Sequence, residues 1–151
     1  MYETILFPTD GSDSSLHALD HALDIAETYG ASLHALYVVE TSSPHDDFGT
    51  GGIDPQLLIQ TLHERGEEAL ERVEERADRA GREFVGATRE FDDIHGGILE
   101  YADEYGADLI VMGTHGRRGL NRWLLGSVAE RVVRTSDIPV LTVRERPEED
   151  E

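Results

Sequence analysis

Residues 108–127 of the chain read DLIVMGTHGRRGLNRWLLGS, a short apolar run followed by a connection that contains glycine and arginine. The run at 108–113 has the length and the β-branched content of a strand that is buried on both faces of a parallel sheet. The connection at 114–125 leads to Gly126 and Ser127, small residues that are typical of a helix start. A buried strand that leads through a loop into a helix is the repeating unit of an α/β fold.

The same alternation continues through the rest of the chain. Short apolar runs alternate with segments in which apolar residues recur every three or four positions, as on one face of a helix. The predicted strands are residues 4–8, 32–39, 84–88, 108–113 and 139–143. The predicted helices are residues 14–29, 54–81, 92–106 (capped by Asp92 or Asp93) and 127–135, and residues 41–52 are predicted as a surface loop.

This order predicts an α/β fold in one domain, residues 1–145, followed by an acidic tail at 146–151. The expected architecture is a single doubly wound, Rossmann-like parallel sheet of five strands with helices on both faces and the last strand at an edge. Ligands of such sheets bind beyond the carboxyl ends of the strands, where the strand order reverses. That rule brings residues 8–10, 39–40 and 112–113 around one crevice.

The composition is that of a folded domain. The chain has 151 residues, of which 38% are apolar, and it lacks cysteine, which excludes disulfides and thiol catalysis. No apolar run is long enough to span a bilayer, and the first residues lack the basic and apolar regions of a secretion signal. We therefore expect a cytoplasmic protein.

The charge is strongly negative. The formal net charge is −19 at pH 7, from 32 acidic and 13 basic residues, and every basic residue is arginine. A Walker A loop requires lysine and is excluded, and nucleic acid and membrane are not expected as partners because the surface repels phosphate. The acids form either a face for a basic partner or an adaptation to a cytosol of high salt. Their spread along the whole chain favours salt adaptation.

The connection after the strand at 108–113 has features of an anion-binding loop. Gly113, Gly116 and Gly119 allow the backbone to approach a ligand closely. Gly126 and Ser127 lead into a helix whose first N–H groups are available to phosphate. The alternative is a flexible loop whose glycines only relieve crowding, and a glycine-rich loop alone does not decide between them.

The spacing of these glycines resembles a known pattern. Gly113, two residues, Gly116, nine residues, Gly126 and then Ser127 match the nucleotide-binding motif of the universal stress protein family. ILFPTD at residues 5–10 resembles the family's first strand and its acidic end, and LGSVAERV at 125–132 and IPVLTV at 138–143 are also similar. The resemblance covers essentially the whole chain. In this family the complete motif marks the branch that binds ATP.

The resemblance implies a role for each matching position. It implies that the adenine and ribose are lined by Pro8, Thr9, Val38 and Met112, and that Asp10 holds ribose hydroxyls or a cation. It implies that the phosphates are wrapped by Gly113, Gly116, Arg117 and Gly119. The β- and γ-phosphates would be received by Gly126, Ser127 and Val128. His115 either touches a phosphate or hydrogen-bonds to the loop backbone. Asp10 is the candidate metal contact, through water or through Mg²⁺ on the nucleotide.

The resemblance also implies a function and partners. The expected ligand is ATP or another adenine nucleotide with Mg²⁺ or Mn²⁺, and the expected assembly is a homodimer through Val140, Leu141, Thr142 and Val143. We expect a stress-response regulatory module, acting on an unidentified protein partner. ATP hydrolysis by this protein is expected to be slow or absent, because no general base or arginine finger is evident. A scaffold of the same fold without nucleotide is the alternative.

Other candidate sites carry weaker patterns. Residues 10–15 faintly resemble the SGGxDS loop of ATP pyrophosphatases but lack its paired glycines, and a GxSxG nucleophile motif is missing. His17 and His21 lie four apart, a spacing that suits a metal, but they are interpreted as a polar helix face because no third ligand is specified. Trp123 in the loop either closes over the site or packs in the dimer, and packing is favoured.

Overall fold

The computed structural model describes residues 1–42, 54–114 and 125–144. The strands are β1 (Thr4–Pro8), β2 (Ser32–Glu40), β3 (Phe84–Phe91), β4 (Leu109–Gly113) and β5 (Val140–Val143). The helices are α1 (Asp13–Tyr29), α2 (Pro55–Arg79), α3 (Ile94–Tyr105) and α4 (Ser127–Thr135). None of the helices within the described ranges is long and apolar enough to cross a membrane.

The five strands form one parallel sheet in the order β3-β2-β1-β4-β5. The chain moves outward from β1 to β2 and β3, and then crosses back to β4 on the other side of β1. The strand order therefore reverses between β1 and β4, which is where sheets of this type bind ligands. The predicted doubly wound parallel sheet is confirmed.

The core lies on both faces of the sheet, and β1 contributes to each of them. Ile5 and Phe7 pack beneath α1 and α2, whereas Leu6 packs beneath α3 and α4. All three side chains have no exposed surface. Successive residues of a strand point to opposite faces, so a strand that is buried on both faces is apolar throughout.

Most element boundaries agree with the prediction, but the third strand was predicted too short. β3 continues to Phe91 rather than ending at residue 88, and it stays paired with β2 over its full length, as far as Glu40↔Phe91. Arg89 and Glu90 obscured this extension because they are polar. The strand order places β3 at an edge of the sheet, where polar residues are tolerated.

Gly66 sets the distance between α2 and the sheet. A Cβ atom at this position would lie 2.8 Å from Cδ1 of Tyr37 on β2, and Tyr37 is buried.

We expect Gly66→Ala to destabilise the protein by about 1 kcal/mol in urea unfolding. Overpacking costs about 1–3 kcal/mol, which exceeds the gain of about 1 kcal/mol in helix propensity. Thr61→Ala on the same helix is the control and is expected to stabilise, so a stabilised Gly66→Ala variant would contradict this packing.

A cluster of polar and aromatic side chains lies between the sheet and the end of α3. Nδ1 of His34 lies 2.8 Å from the hydroxyl of Tyr101, whose ring lies 4.4 Å from that of Tyr105, and the Arg89 guanidinium lies over both tyrosine rings. Burial lowers the pKa of the His34 imidazole and raises the pKa of the Tyr101 hydroxyl. Both shifts favour the neutral forms, which are the forms that hydrogen-bond to each other here.

Candidate functional site

The strands that flank the reversal of strand order end together. β1 ends at Pro8 and β4 at Gly113, and the two are paired at Ile5↔Leu109 and Leu6↔Ile110. Just beyond β1, the Thr9 amide donates to the carbonyl oxygen of Leu36 on β2 at 2.9 Å. The candidate crevice therefore lies at the carboxyl ends of the three central strands.

A hydrogen-bonded turn fixes the residues that follow β1. The amide of Ser12 donates to Oδ1 of Asp10 at 2.9 Å, and the amide of Gly11 donates to Oγ1 of Thr9 at 3.0 Å. Gly11 has φ +83, which favours glycine, and Oγ of Thr9 hydrogen-bonds to Oγ of Ser15. Asp10 is thus held at the mouth of the crevice by the local backbone.

Gly113 is a point of close approach between β4 and the first turn of α1. A Cβ atom there would lie 3.2 Å from both the carbonyl oxygen and Oγ of Ser14. That hydroxyl oxygen is buried and has no hydrogen-bond partner among the described residues. The close packing accounts for glycine at the end of β4, and it leaves an unsatisfied polar group beside the crevice.

Thr114 and Gly126 are joined by a backbone hydrogen bond. The amide of Gly126 donates to the carbonyl oxygen of Thr114 at 2.6 Å, and the amide of Thr114 donates to the carbonyl oxygen of Val143 at 3.1 Å. Thr114 is buried. The first glycine of the motif, Gly113, therefore lies beside the last one, Gly126, at the start of α4.

The N-terminus of α4 differs from those of the other three described helices. Ser12, Asp54 and Asp93 cap α1, α2 and α3 with side chains that accept a backbone N–H. Gly126, the N-cap of α4, supplies no side-chain hydrogen bond, and no described residue accepts from the amides of residues 127–129. Free amides at a helix N-terminus, together with the helix dipole, form an anion site.

Apolar side chains lie near the carboxyl ends of β2 and β4, where the wall of the crevice is expected. Val38 and Met112 are buried in the core cluster on the α3 and α4 side of the sheet. Val128 of α4 packs against the same cluster. Val38 also lies under Gly97 of α3, where a Cβ atom would come within 2.9 Å of Cγ1 of Val38. An apolar wall with a few convergent polar groups is the usual form of a small-molecule site.

The structure brings together most of the predicted site residues. Those at the carboxyl ends of β1, β2 and β4 and at the start of α4 lie around this crevice: Pro8, Thr9, Asp10, Val38, Met112, Gly113, Gly126, Ser127 and Val128. The remaining predicted residues, His115, Gly116, Arg117 and Gly119, lie outside the described residues, as does Trp123. The predicted acidic tail at 146–151 also lies outside them.

Sequence reasoning missed three residues that shape the crevice. Ser14 was assigned only to the start of a helix, Thr114 only to a loop, and Gly97 was not singled out. No local signal identifies Ser14 or Thr114, because their positions depend on contacts with β4 and α4. Adjacent glycines in a helix, Gly96 and Gly97, were a usable signal, since glycine inside a helix often marks close packing.

The described residues contain no group of three or more side chains arranged to hold a metal ion. Asp10 contributes a single carboxylate to the crevice, so a metal here would need further ligands from a bound nucleotide or from water. Besides Asp10, the site holds backbone amides and hydroxyls.

The fold and the site define an α/β protein in which the uncapped start of α4 lies near the reversal of strand order. The sequence profile of the universal stress protein family matches residues 1–144. The chain therefore belongs to the universal stress protein family.

Individual relatives agree with this assignment. Universal stress protein MJ0531 of Methanocaldococcus jannaschii is 42% identical over 150 residues, which cover 99% of this chain and 86% of the relative. The solved structure of MJ0577 from the same organism is 28% identical with a TM-score of 0.81, covering 98% of this chain and 99% of that one. A universal stress protein solved in complex with cAMP is 30% identical with a TM-score of 0.73, covering 96% and 99%.

Proposed function

We propose that this protein is an ATP-binding regulatory module of the cytoplasm, which responds to stress by nucleotide occupancy rather than by rapid turnover. The observation that carries this proposal is the N-terminus of α4, where the amides of residues 127–129 are left without a described acceptor. Phosphate oxygens satisfy such amides and interact favourably with the helix dipole. Among the four described helices, α4 is the one whose N-terminus has no side-chain cap.

The other parts of the crevice suit the rest of an adenine nucleotide. Val38 and Met112 provide apolar surface for the base, and Asp10 lies beyond β1, where a carboxylate accepts hydrogen bonds from ribose hydroxyls. The similar universal stress protein that was solved with cAMP supports an adenine nucleotide as the ligand class. The spacing of Gly113, Gly116, Gly126 and Ser127 supports a ligand with a chain of phosphates.

Slow or absent hydrolysis follows from the groups in the crevice. Phosphoryl-transfer enzymes use a residue that orients the nucleophile and cations that stabilise the developing charge. Asp10 is the only carboxylate among the proposed ligands, and one of its oxygens already accepts the Ser12 amide. Mg²⁺ or Mn²⁺ would enter with the nucleotide. We expect turnover below about 1 s⁻¹, the low end for dedicated kinases.

Homodimerisation through β5 is part of the same proposal. β5 is an edge strand that pairs with β4 on one side, and Leu141 is exposed on it. An apolar edge strand favours pairing with a second strand, and residues 140–143 would form that interface.

The competing function is a scaffold of the same fold that holds no nucleotide. The two functions are distinguished by denaturing the purified protein and identifying any released nucleotide by chromatography. We expect an adenine nucleotide in the released fraction, or saturable ATP binding if the protein purifies empty. Protein that releases no nucleotide and does not bind added ATP would support the scaffold.

Asp10 is expected to contribute directly to ATP affinity. Asp10→Ala removes the proposed acceptor for the ribose hydroxyls and should weaken ATP binding by about 1–3 kcal/mol in equilibrium titration, the usual cost of losing a hydrogen bond to a charged group. Asp10→Asn is the matched variant. It retains an oxygen for the Ser12 amide but loses the charge and one acceptor.

The two variants separate binding from local structure. If Asp10 contacts the ribose, both variants lose affinity, and Asp10→Asn keeps the thermal stability of the wild type. Unchanged ATP affinity in Asp10→Asn would mean that Asp10 only holds the turn at residues 10–12.

A further inference from the structure

A cavity lies between α1 and the end of β5, apart from the residues assigned to the candidate nucleotide site. It has a volume of about 460 Å³ and is lined by two histidines of α1 and by the end of β5: His17, His21, Leu141, Thr142, Val143 and Arg144. Val143 belongs to the core on the α1 side, whereas Val38 and Met112 belong to the core on the α3 and α4 side. The cavity shares no lining residue with the nucleotide site.

The two imidazoles are arranged as a pair. His17 and His21 lie one helical turn apart on α1, and their ring centroids are 5.9 Å apart. Neither ring hydrogen-bonds to a described residue, and His21 is exposed. Two histidines at this spacing on one helix face are the arrangement with which helices chelate zinc.

The acidic residues of α1 beside the pair favour a cation, whereas Arg144 on the cavity wall opposes one. Asp13 and Asp24 lie at helical spacings of four and three residues from His17 and His21, so they share the same side of α1. Asp20 is held by Arg76 at 3.1 Å and is directed to α2. The chain as a whole carries a net charge of −19, which raises the local concentration of cations.

We propose that His17 and His21 chelate a divalent transition-metal ion of the Zn²⁺ type at this cavity. Each neutral imidazole donates one nitrogen lone pair, and water completes the coordination, because no third ligand is gathered among the described residues. The cavity has room for the ion and its waters. Its wall includes Leu141 of the edge strand, so the ion would lie beside the proposed dimer interface. This proposal stands on the cavity and the histidine pair, and it does not depend on ATP binding.

The test is calorimetric titration of ZnCl₂ into protein that has been treated with chelator and then dialysed. We expect one Zn²⁺ per protomer in the wild type. His17→Ala and His21→Ala should each weaken binding at least tenfold, since loss of an outer-sphere partner alone typically costs about 10–100-fold. The matched control is the double variant His63→Ala, His95→Ala, which removes two other imidazoles that already lie near Glu90 and Asp93.

Cu²⁺ provides a second readout. Electron paramagnetic resonance should show coupling to two imidazole nitrogens in the wild type and in the control double variant, but to one in His21→Ala. Because His21 is exposed, its replacement leaves the core intact. Equal metal affinity in His17→Ala, His21→Ala and the control would overturn the proposal. Binding of inorganic phosphate without binding of Zn²⁺ would also overturn the proposal. That result would assign the cavity to an anion held by Arg144.

Discussion

ATP binding should be lost in the variant Gly126→Asp, whereas the fold should be retained. Gly126 is the N-cap of α4, with φ −66 and ψ 161, a conformation that aspartate adopts readily. The new carboxylate would accept the first amides of the helix and would occupy the place of a phosphate. Aspartate is a better N-cap than glycine by a few tenths of a kcal/mol, so no loss of stability is expected.

The size of the expected loss of ATP affinity follows from the repulsion between the new carboxylate and the phosphate. Two like charges about 4 Å apart at an effective dielectric constant of about 20 repel by about 4 kcal/mol. We therefore expect ATP affinity in Gly126→Asp to fall at least 100-fold in equilibrium titration, with a melting temperature equal to that of the wild type or above it.

Gly126→Asn is the matched control for this variant. Asparagine caps helices about as well as aspartate but carries no charge. It should weaken ATP binding less than aspartate does, because it competes for the same amides without repelling the phosphate. Wild-type ATP affinity in Gly126→Asp would contradict the assignment and would move the phosphate site away from α4.

Thermal stability should rise steeply with KCl. The six glutamates of α2 that point to solvent are all exposed, and none forms a salt bridge with a described residue: Glu64, Glu67, Glu68, Glu71, Glu74 and Glu75. Their mutual repulsion adds to that of a chain with a net charge of −19. Because the Debye length falls from about 10 Å at 0.1 M to about 3 Å at 1 M salt, KCl screens this repulsion.

The expected rise in melting temperature with KCl is large for a domain of this size. If screening removes about 3 kcal/mol of repulsion, the melting temperature rises by about 6–12 °C between 0.1 M and 2 M KCl. Below about 0.5 M KCl we expect the fold to loosen, because the screening weakens.

A variant with fewer charges separates this effect from a general effect of salt. The triple variant Glu67→Gln, Glu71→Gln, Glu74→Gln keeps the length and the helix propensity of the exposed face. It should melt at a higher temperature than the wild type at 0.1 M KCl, and at a similar temperature at 2 M. A melting temperature of the wild type that does not change with KCl would contradict the interpretation of the acids as a salt adaptation.

The order and type of the elements could be predicted because local and global signals agree along this chain. Asp54 followed by Pro55 defines the start of α2, and Gly30 and Gly106 end α1 and α3 in the left-handed conformation that favours glycine. The central strand β1 is apolar from Ile5 to Pro8 because both of its faces are covered there. The end of β3 was missed because an edge strand does not need an apolar pattern.

The candidate site could be predicted only where a motif crosses it. The spacing from Gly113 to Ser127 identified the start of α4, and the end of β1 identified Asp10. The contact between Gly113 and Ser14 could not be predicted, because it depends on how closely α1 approaches β4. The cavity beside His17 was missed for the same reason, since it forms only when α1 packs against β5.

Nucleotide binding at the start of α4 can be tested by thermal unfolding of nucleotide-free protein in 2 M KCl, with and without ATP and Mg²⁺. A ligand at 100 times its dissociation constant stabilises the folded state by about 2.7 kcal/mol, which raises the melting temperature of a domain of this size by several degrees. We expect this rise with ATP and little change with adenosine, because adenosine has no phosphate to accept from the amides of α4. No shift with any adenine nucleotide would contradict this expectation.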